Sequence, residues 1–108
     1  MDGKNTYGAI RIQNGKYEDQ LLVLQKDEIL KIGRDMNQCN LVLEAPWISK
    51  VHCSITYDVT RQCYLVTDYS INGTFLEDGA RLAKDQATEL MPGSVVRIGE
   101  DGIGLQLL

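Results

Sequence analysis

The chain has 108 residues, 44% of them apolar, and a formal net charge of −4. That length suits one domain with a single core. No apolar run approaches the roughly 20 residues of a membrane helix, and no Lys/Arg cluster makes a nucleic-acid footprint.

Met1-Asp2-Gly3-Lys4-Asn5 lacks the apolar core of a secretory signal. Residues 6–12 alternate with period two, and Asn14-Gly15 after them predicts a two-residue type I′ hairpin with positive φ at both positions. Leu21-Leu22-Val23-Leu24 is a short apolar run, expected to be a well-buried strand. Ile29-Leu30-Lys31-Ile32-Gly33 is the next strand. Residues 35–40 form a polar loop, Leu41-Val42-Leu43 a short strand, and residues 44–47 a loop in which Pro46 forbids a ladder hydrogen bond. Val51, Cys53, Ile55 and Tyr57 alternate cleanly with His52, Ser54, Thr56 and Asp58. A turn near residues 59–61 leads back into Tyr64-Leu65-Val66-Thr67-Asp68. Asn72-Gly73, Asp78-Gly79 and Pro92-Gly93 mark further turns, around Leu82, Leu90 and Val95-Val96-Arg97-Ile98. Gly104-Leu105-Gln106-Leu107-Leu108 is the last strand. No window carries a sustained helical stripe. Short strands with turn signals about every 8–12 residues predict an all-β sandwich or barrel, and around ten strands favour two packed sheets.

Three cysteines, Cys39, Cys53 and Cys63, are odd in number and include no C-x-x-C pair. This argues against a disulfide scaffold or zinc site and for reduced thiols in a cytoplasmic protein.

Three clusters sit at strand ends: Ile32-Gly33-Arg34, Ser49-Lys50-Val51-His52 and Asn72-Gly73-Thr74-Phe75-Leu76. They supply a guanidinium, an ammonium, a hydroxyl and a carboxamide. A phosphate monoester carries about −1.5 to −2 charge at neutral pH and three strong acceptor oxygens. Arg34 can grip two of them with its planar fork. Lys50 adds a compact charge, Ser49 a hydroxyl donor, and Asn72 can pair with an extended peptide backbone. The set suits a phosphate ester on a peptide and lacks the parts to hydrolyse one. Singly, each residue has an ordinary role: Arg34 as a surface ion-pair partner, Lys50 as a solvated residue, Asn72-Gly73 as a turn. His52 is the only histidine. No ligand spacing surrounds it, and no acid is spaced to orient it as a base. It reads as structural, tying one loop to another. Trp47 either packs a peptide side chain or plugs the end of the sandwich.

Those clusters, with Asp68-Tyr69-Ser70-Ile71-Asn72-Gly73-Thr74-Phe75-Leu76 and Pro92-Gly93-Ser94-Val95-Val96-Arg97-Ile98-Gly99, resemble in order and spacing the forkhead-associated (FHA) domain. The resemblance covers about residues 7–108 and implies one domain over residues 1–108. It implies an eleven-stranded two-sheet β-sandwich of the FHA/SMAD-like kind with binding loops at one end. It further implies a signalling module that binds phosphothreonine peptides, with no catalytic residue, metal or cofactor, and neither nucleic acid nor membrane as partner. Partners would be phosphothreonine proteins and other domains of a longer parent chain. By position, Arg34, Ser49, Lys50 and Asn72 would contact the phosphopeptide. Gly33, His52, Gly73 and Thr74 would support the site. Threonine would be preferred to serine because its γ-methyl fills an apolar slot. Residues 35–47 and 69–73 would set flanking preference.

The chain departs from the family pattern in four places. Lys50 stands where arginine is frequent, keeping the charge and losing the fork. Ile71 stands where many members place a polar phosphate contact. Asn40 replaces a common aspartate and keeps an acceptor. The turn at Leu76-Glu77-Asp78-Gly79 is one residue longer. A phosphate-independent interaction domain of the same fold is the alternative, and an enzyme using Ser49/His52 or His52/Cys53 a remote third.

Overall fold

A computed structural model describes residues 5–100 and 102–108. The reading of residues 1–4 as free of a signal lies outside them. Ten strands follow in order: β1 (Gly8–Ile12), β2 (Leu21–Leu24), β3 (Leu30–Gly33), β4 (Leu41–Val42), β5 (Cys53–Asp58), β6 (Cys63–Asp68), β7 (Thr74–Leu76), β8 (Ala87–Leu90), β9 (Val95–Ile98) and β10 (Ile103–Leu107). They build two five-stranded sheets, ordered β2-β1-β10-β9-β7 and β4-β3-β5-β6-β8. Among the described residues none is helical, so no helix is long and apolar enough to cross a membrane.

The core follows from the period-two pattern. In the first sheet Ile10 and Ile12 lie beside Leu107 and Leu105, and all four are fully buried. In the second, Leu30, Ile55 and Val66 form one row across β3, β5 and β6, buried against the same core. Burying one such Ile or Leu contributes roughly 1.5–3 kcal/mol. Tyr57 and Tyr64 face each other across β5 and β6, ring centroids 4.9 Å apart. Gly8 makes room for them, since a Cβ there would sit 2.8 Å from both rings. The Tyr64 hydroxyl accepts from Ala9 N at 2.9 Å and donates to the Leu108 carbonyl at 2.7 Å, tying the start of β1 and the end of β10 to the second sheet.

The sheets differ from expectation in three details. β2 is an edge strand, and Leu21 and Val23 are about half exposed; only Leu24 is buried. Asn14-Gly15 does not make a two-residue hairpin. Gly15 alone has positive φ (88°), and residues 13–20 loop out before β2. Asn14 instead faces the neighbouring strand, where its Oδ1 accepts from Gly104 N at 2.8 Å. Third, the described residues form ten strands. After β7 a turn at Gly79 (φ 93°) brings Arg81 opposite Phe75 for one isolated bridge. Leu82 then enters the core and Lys84 bridges Asp68 of the other sheet, so the pairing at Arg81 stays a single bridge.

Candidate functional site

The end of β3, the loop before β5, the β6–β7 loop and the β9–β10 turn meet at one pole of the sandwich. Backbone hydrogen bonds lace the first two together: Arg34 N donates to Ser49 O (3.0 Å) and Asp35 N to Lys50 O (3.1 Å). Gly33 permits this approach, because a Cβ there would overlap the Lys50 carbonyl oxygen. Arg34, Ser49 and Lys50 are thereby held at one place. Arg34 and Lys50 are exposed, and neither makes an ion pair among the described residues. The Arg34 side chain is anchored midway, its Nε donating to the Ile48 carbonyl at 2.9 Å. That leaves the two terminal nitrogens of the fork for an anion. Asp35, next to them, has its carboxylate turned into its own loop. Hydrogen bonds from Gln38 Nε2 and Asn37 N, aided by Lys50 and Arg34, hold its pKa below the ordinary value.

Ser49 and Asn72 link this pair to the β6–β7 loop. Ser49 Oγ accepts from Ile71 N at 3.1 Å, which leaves its own proton to donate. Asn72 Nδ2 donates to Trp47 O at 2.8 Å, which leaves Oδ1 and one N–H at the surface. Gly73 turns the loop with φ 102°, and a side chain there would meet the Phe75 ring.

His52 is fully buried and both its ring nitrogens are used. Nδ1 accepts from Ser49 N at 3.1 Å. Nε2 therefore carries the proton of the neutral ring and donates to Gly73 O at 2.8 Å. Burial lowers its pKa, outweighing the Gly73 carbonyl and Asp68, which favour the cation. Neither nitrogen is left to take a proton from Ser49 Oγ. Burial also pushes the Cys53 thiol up, away from thiolate chemistry. The three thiols are free, with Cys39 half-buried and Cys53 and Cys63 buried.

Beneath the β6–β7 loop lies a network whose roles the sequence did not reveal. The buried Asp68 carboxylate accepts at Oδ1 from Ser70 N (2.9 Å), Ser70 Oγ (2.6 Å) and Thr74 Oγ1 (3.0 Å). Oδ2 accepts from Arg81 at 3.3 Å, and the same Arg81 nitrogen donates to Ser70 O at 3.0 Å. Ser70 Oγ in turn accepts from Gly73 N at 2.8 Å. Burial by itself would raise the Asp68 pKa; the bonds from Ser70, Thr74 and Arg81 outweigh it and hold the carboxyl below the usual value. A local signal for half of this was present, since Asp followed by Ser two residues on is an Asx-turn pattern. Arg81, thirteen residues away, carried none.

Asn40 keeps its acceptor role: Oδ1 takes the Lys31 N–H at 2.6 Å and fixes the start of the parallel β3–β4 pair. Trp47 lies over the β9–β10 turn, where a Cβ on Gly99 would come within 2.6 Å of its ring, yet it stays 38% exposed. Among the described residues no group of His, Cys, Asp or Glu is placed to hold a metal ion.

The family model for the FHA domain matches residues 30–99. The chain is 31% identical over 105 residues to the meiosis-specific serine/threonine-protein kinase MEK1 of Saccharomyces cerevisiae, covering 93% of this chain and 21% of that protein. It is 36% identical over 74 residues to the FHA domain-containing protein PS1 of Arabidopsis thaliana, covering 68% of this chain and 5% of that one. It therefore spans about a fifth or less of the length of these relatives. The crystal structure of the MEK1 FHA domain superposes with a TM-score of 0.80 at 28% identity, covering 95% of this chain and 89% of that one. The same domain in complex with a HOP1 phosphothreonine peptide gives 0.77 at 27% identity, with 94% of each covered.

Proposed function

This chain belongs to the forkhead-associated (FHA) domain family, and from that premise we propose that it is a phosphothreonine-peptide reader that recruits partners in a phosphorylation-dependent way. The observation that carries this reading is the lacing of Arg34, Ser49 and Lys50 into one surface with two cations that form no ion pair among the described residues. Arg34 grips the phosphate through the terminal nitrogens that its Nε anchor leaves available. Ser49 donates its hydroxyl, and Lys50 adds charge. Asn72 bonds the peptide backbone with Oδ1 and its remaining N–H. Gly33, His52, Gly73 and Thr74 hold the loops. The MEK1 FHA domain, seen with its HOP1 phosphothreonine peptide, supports the choice of ligand.

The domain occupies residues 1–108 with its core over about 7–108, binds without catalysing, and works beside other domains of a longer parent chain. Its free, largely buried thiols fit a reducing compartment, the cytoplasm. Ile71, 78% exposed at the tip of the β6–β7 loop, favours a second reading in which partners bind an apolar surface without phosphate. Fluorescence anisotropy separates the two. Degenerate phosphothreonine, phosphoserine and unphosphorylated libraries are titrated with wild type and Arg34→Ala. Phosphate-dependent, threonine-preferring binding that Arg34→Ala abolishes supports the reader; equal binding of all three libraries supports the second reading.

A further inference from the structure

Next to Asn72 a cleft of about 350 Å³ is lined by Trp47, Asn72, Gly99, Glu100 and Gly102. We propose that this cleft receives a lysine or arginine side chain flanking the phosphothreonine, held by the Trp47 indole and the Glu100 carboxylate. The proposal rests on the phosphopeptide reading above and names which peptides that site selects.

Position comes first. Asn72 is both a wall of the cleft and the residue that registers the peptide backbone, and its Nδ2 is bonded to the Trp47 carbonyl at 2.8 Å. A peptide seated on Asn72 must carry a neighbouring side chain over the opening. Shape comes second. The floor is glycine backbone with the indole pressed on it, since a Cβ on Gly99 or Gly102 would lie 2.6 or 2.8 Å from the ring. The rest of the indole is open. A long aliphatic stem fits along such a surface, and a cation over an indole face is attracted by the ring quadrupole.

Charge decides among occupants. Glu100 is exposed and makes no ion pair among the described residues. The pole therefore carries cations at Arg34 and Lys50 and a carboxylate at Glu100, which lines the cleft that Asn72 walls. A peptide bearing phosphate at one point and a basic side chain a short way along complements both charges. An acidic side chain would set carboxylate against carboxylate. An aliphatic one would use the indole and ignore Glu100. Flank selection then involves the β9–β10 turn, a third loop beyond the two that the sequence suggested.

The test uses phosphothreonine peptides, each beside its unphosphorylated twin, in which one flanking position at a time is Lys, Arg, Leu, Ala or Glu, read by anisotropy competition. Wild type, Glu100→Gln and Glu100→Lys are compared; the side chain is exposed, so these variants fold. At one position, wild type should bind Lys and Arg about three- to tenfold tighter than Glu, the range of an exposed charge pair with a cation–π contact. Glu100→Gln should flatten that ratio and Glu100→Lys reverse it. A flat wild-type profile, or one rank order in all three proteins, overturns the proposal while phosphate dependence keeps the reader. No phosphate dependence in any peptide overturns both.

Discussion

His52 Nε2 donates to the Gly73 carbonyl at 2.8 Å, so an imidazole in the loop before β5 sets the position of a glycine on the far side of the site. The same ring takes the Ser49 N–H on its other nitrogen. One buried side chain thus spaces the loop that offers Ser49 from the loop that offers Asn72.

Stability should fall as pH drops through the histidine range. The folded pKa of His52 lies below the ordinary 6.5, because burial disfavours the cation. Above about 6.5 folded and unfolded chains are both neutral there, and the contribution is complete. Below it the unfolded chain takes up a proton that the folded ring resists, and stability declines until the folded pKa is passed. Urea unfolding at pH 7.5 and 5.5 should show this decline in wild type and much less of it in His52→Gln. His52→Ala should cost about 1–3 kcal/mol at neutral pH, chiefly from the orphaned Ser49 N–H.

Arg34→Ala should lower phosphopeptide affinity by about tenfold or more, the worth of a charge-assisted contact. Its stability should change little, because the side chain is exposed. Raising salt should weaken wild-type binding more than that of the variant. Anisotropy titrations at two salt concentrations check both statements.

Asp68→Asn should destabilise the fold by about 2–3 kcal/mol, less than for a wholly buried pair because Arg81 is 41% exposed. The Asp68 pKa is below 3.8, so its contribution is complete above that value and is lost as pH falls through the folded pKa. This loss begins below about 3.8, whereas that of His52 begins below about 6.5, and an acid titration of stability in Asp68→Asn and His52→Gln should assign each part. Hydrogen exchange should also rise at Ser70 N and Gly73 N, which the network holds directly or through Ser70 Oγ.

Gly33→Ala should cost on the order of 3 kcal/mol, since the added methyl meets backbone rather than a side chain that can turn away. Thermal unfolding checks it, and a soluble variant should also lose phosphopeptide binding, because Arg34 and Lys50 would be pushed apart.

Local periodicity carried most of the fold. Val51 to Tyr57 and Val95 to Ile98 announced strands because one face of each meets the core and the other does not. Leu21 and Val23 misled because composition does not say that a strand stands at an edge. Asn14-Gly15 misled because its side chain had a better partner ninety residues away, at Gly104. The candidate site residues were legible as separate clusters, which the fold brings to one pole. What bound them was not: the carbonyls of Ile48, Lys50 and Trp47, and the salt bridge from Asp68 to Arg81, are meetings between distant segments that no spacing records.

The Tyr64 hydroxyl grips Ala9 and Leu108 at the pole opposite the loops, where β1 begins and β10 ends side by side. Strands paired antiparallel with both outer ends at one pole form a zipper under tension. Force applied through Ala9 and Leu108 would open the β1–β10 ladder one hydrogen bond at a time instead of shearing it all at once. The binding loops lie at the other pole, so under that load they should still be assembled when the ladder starts to part.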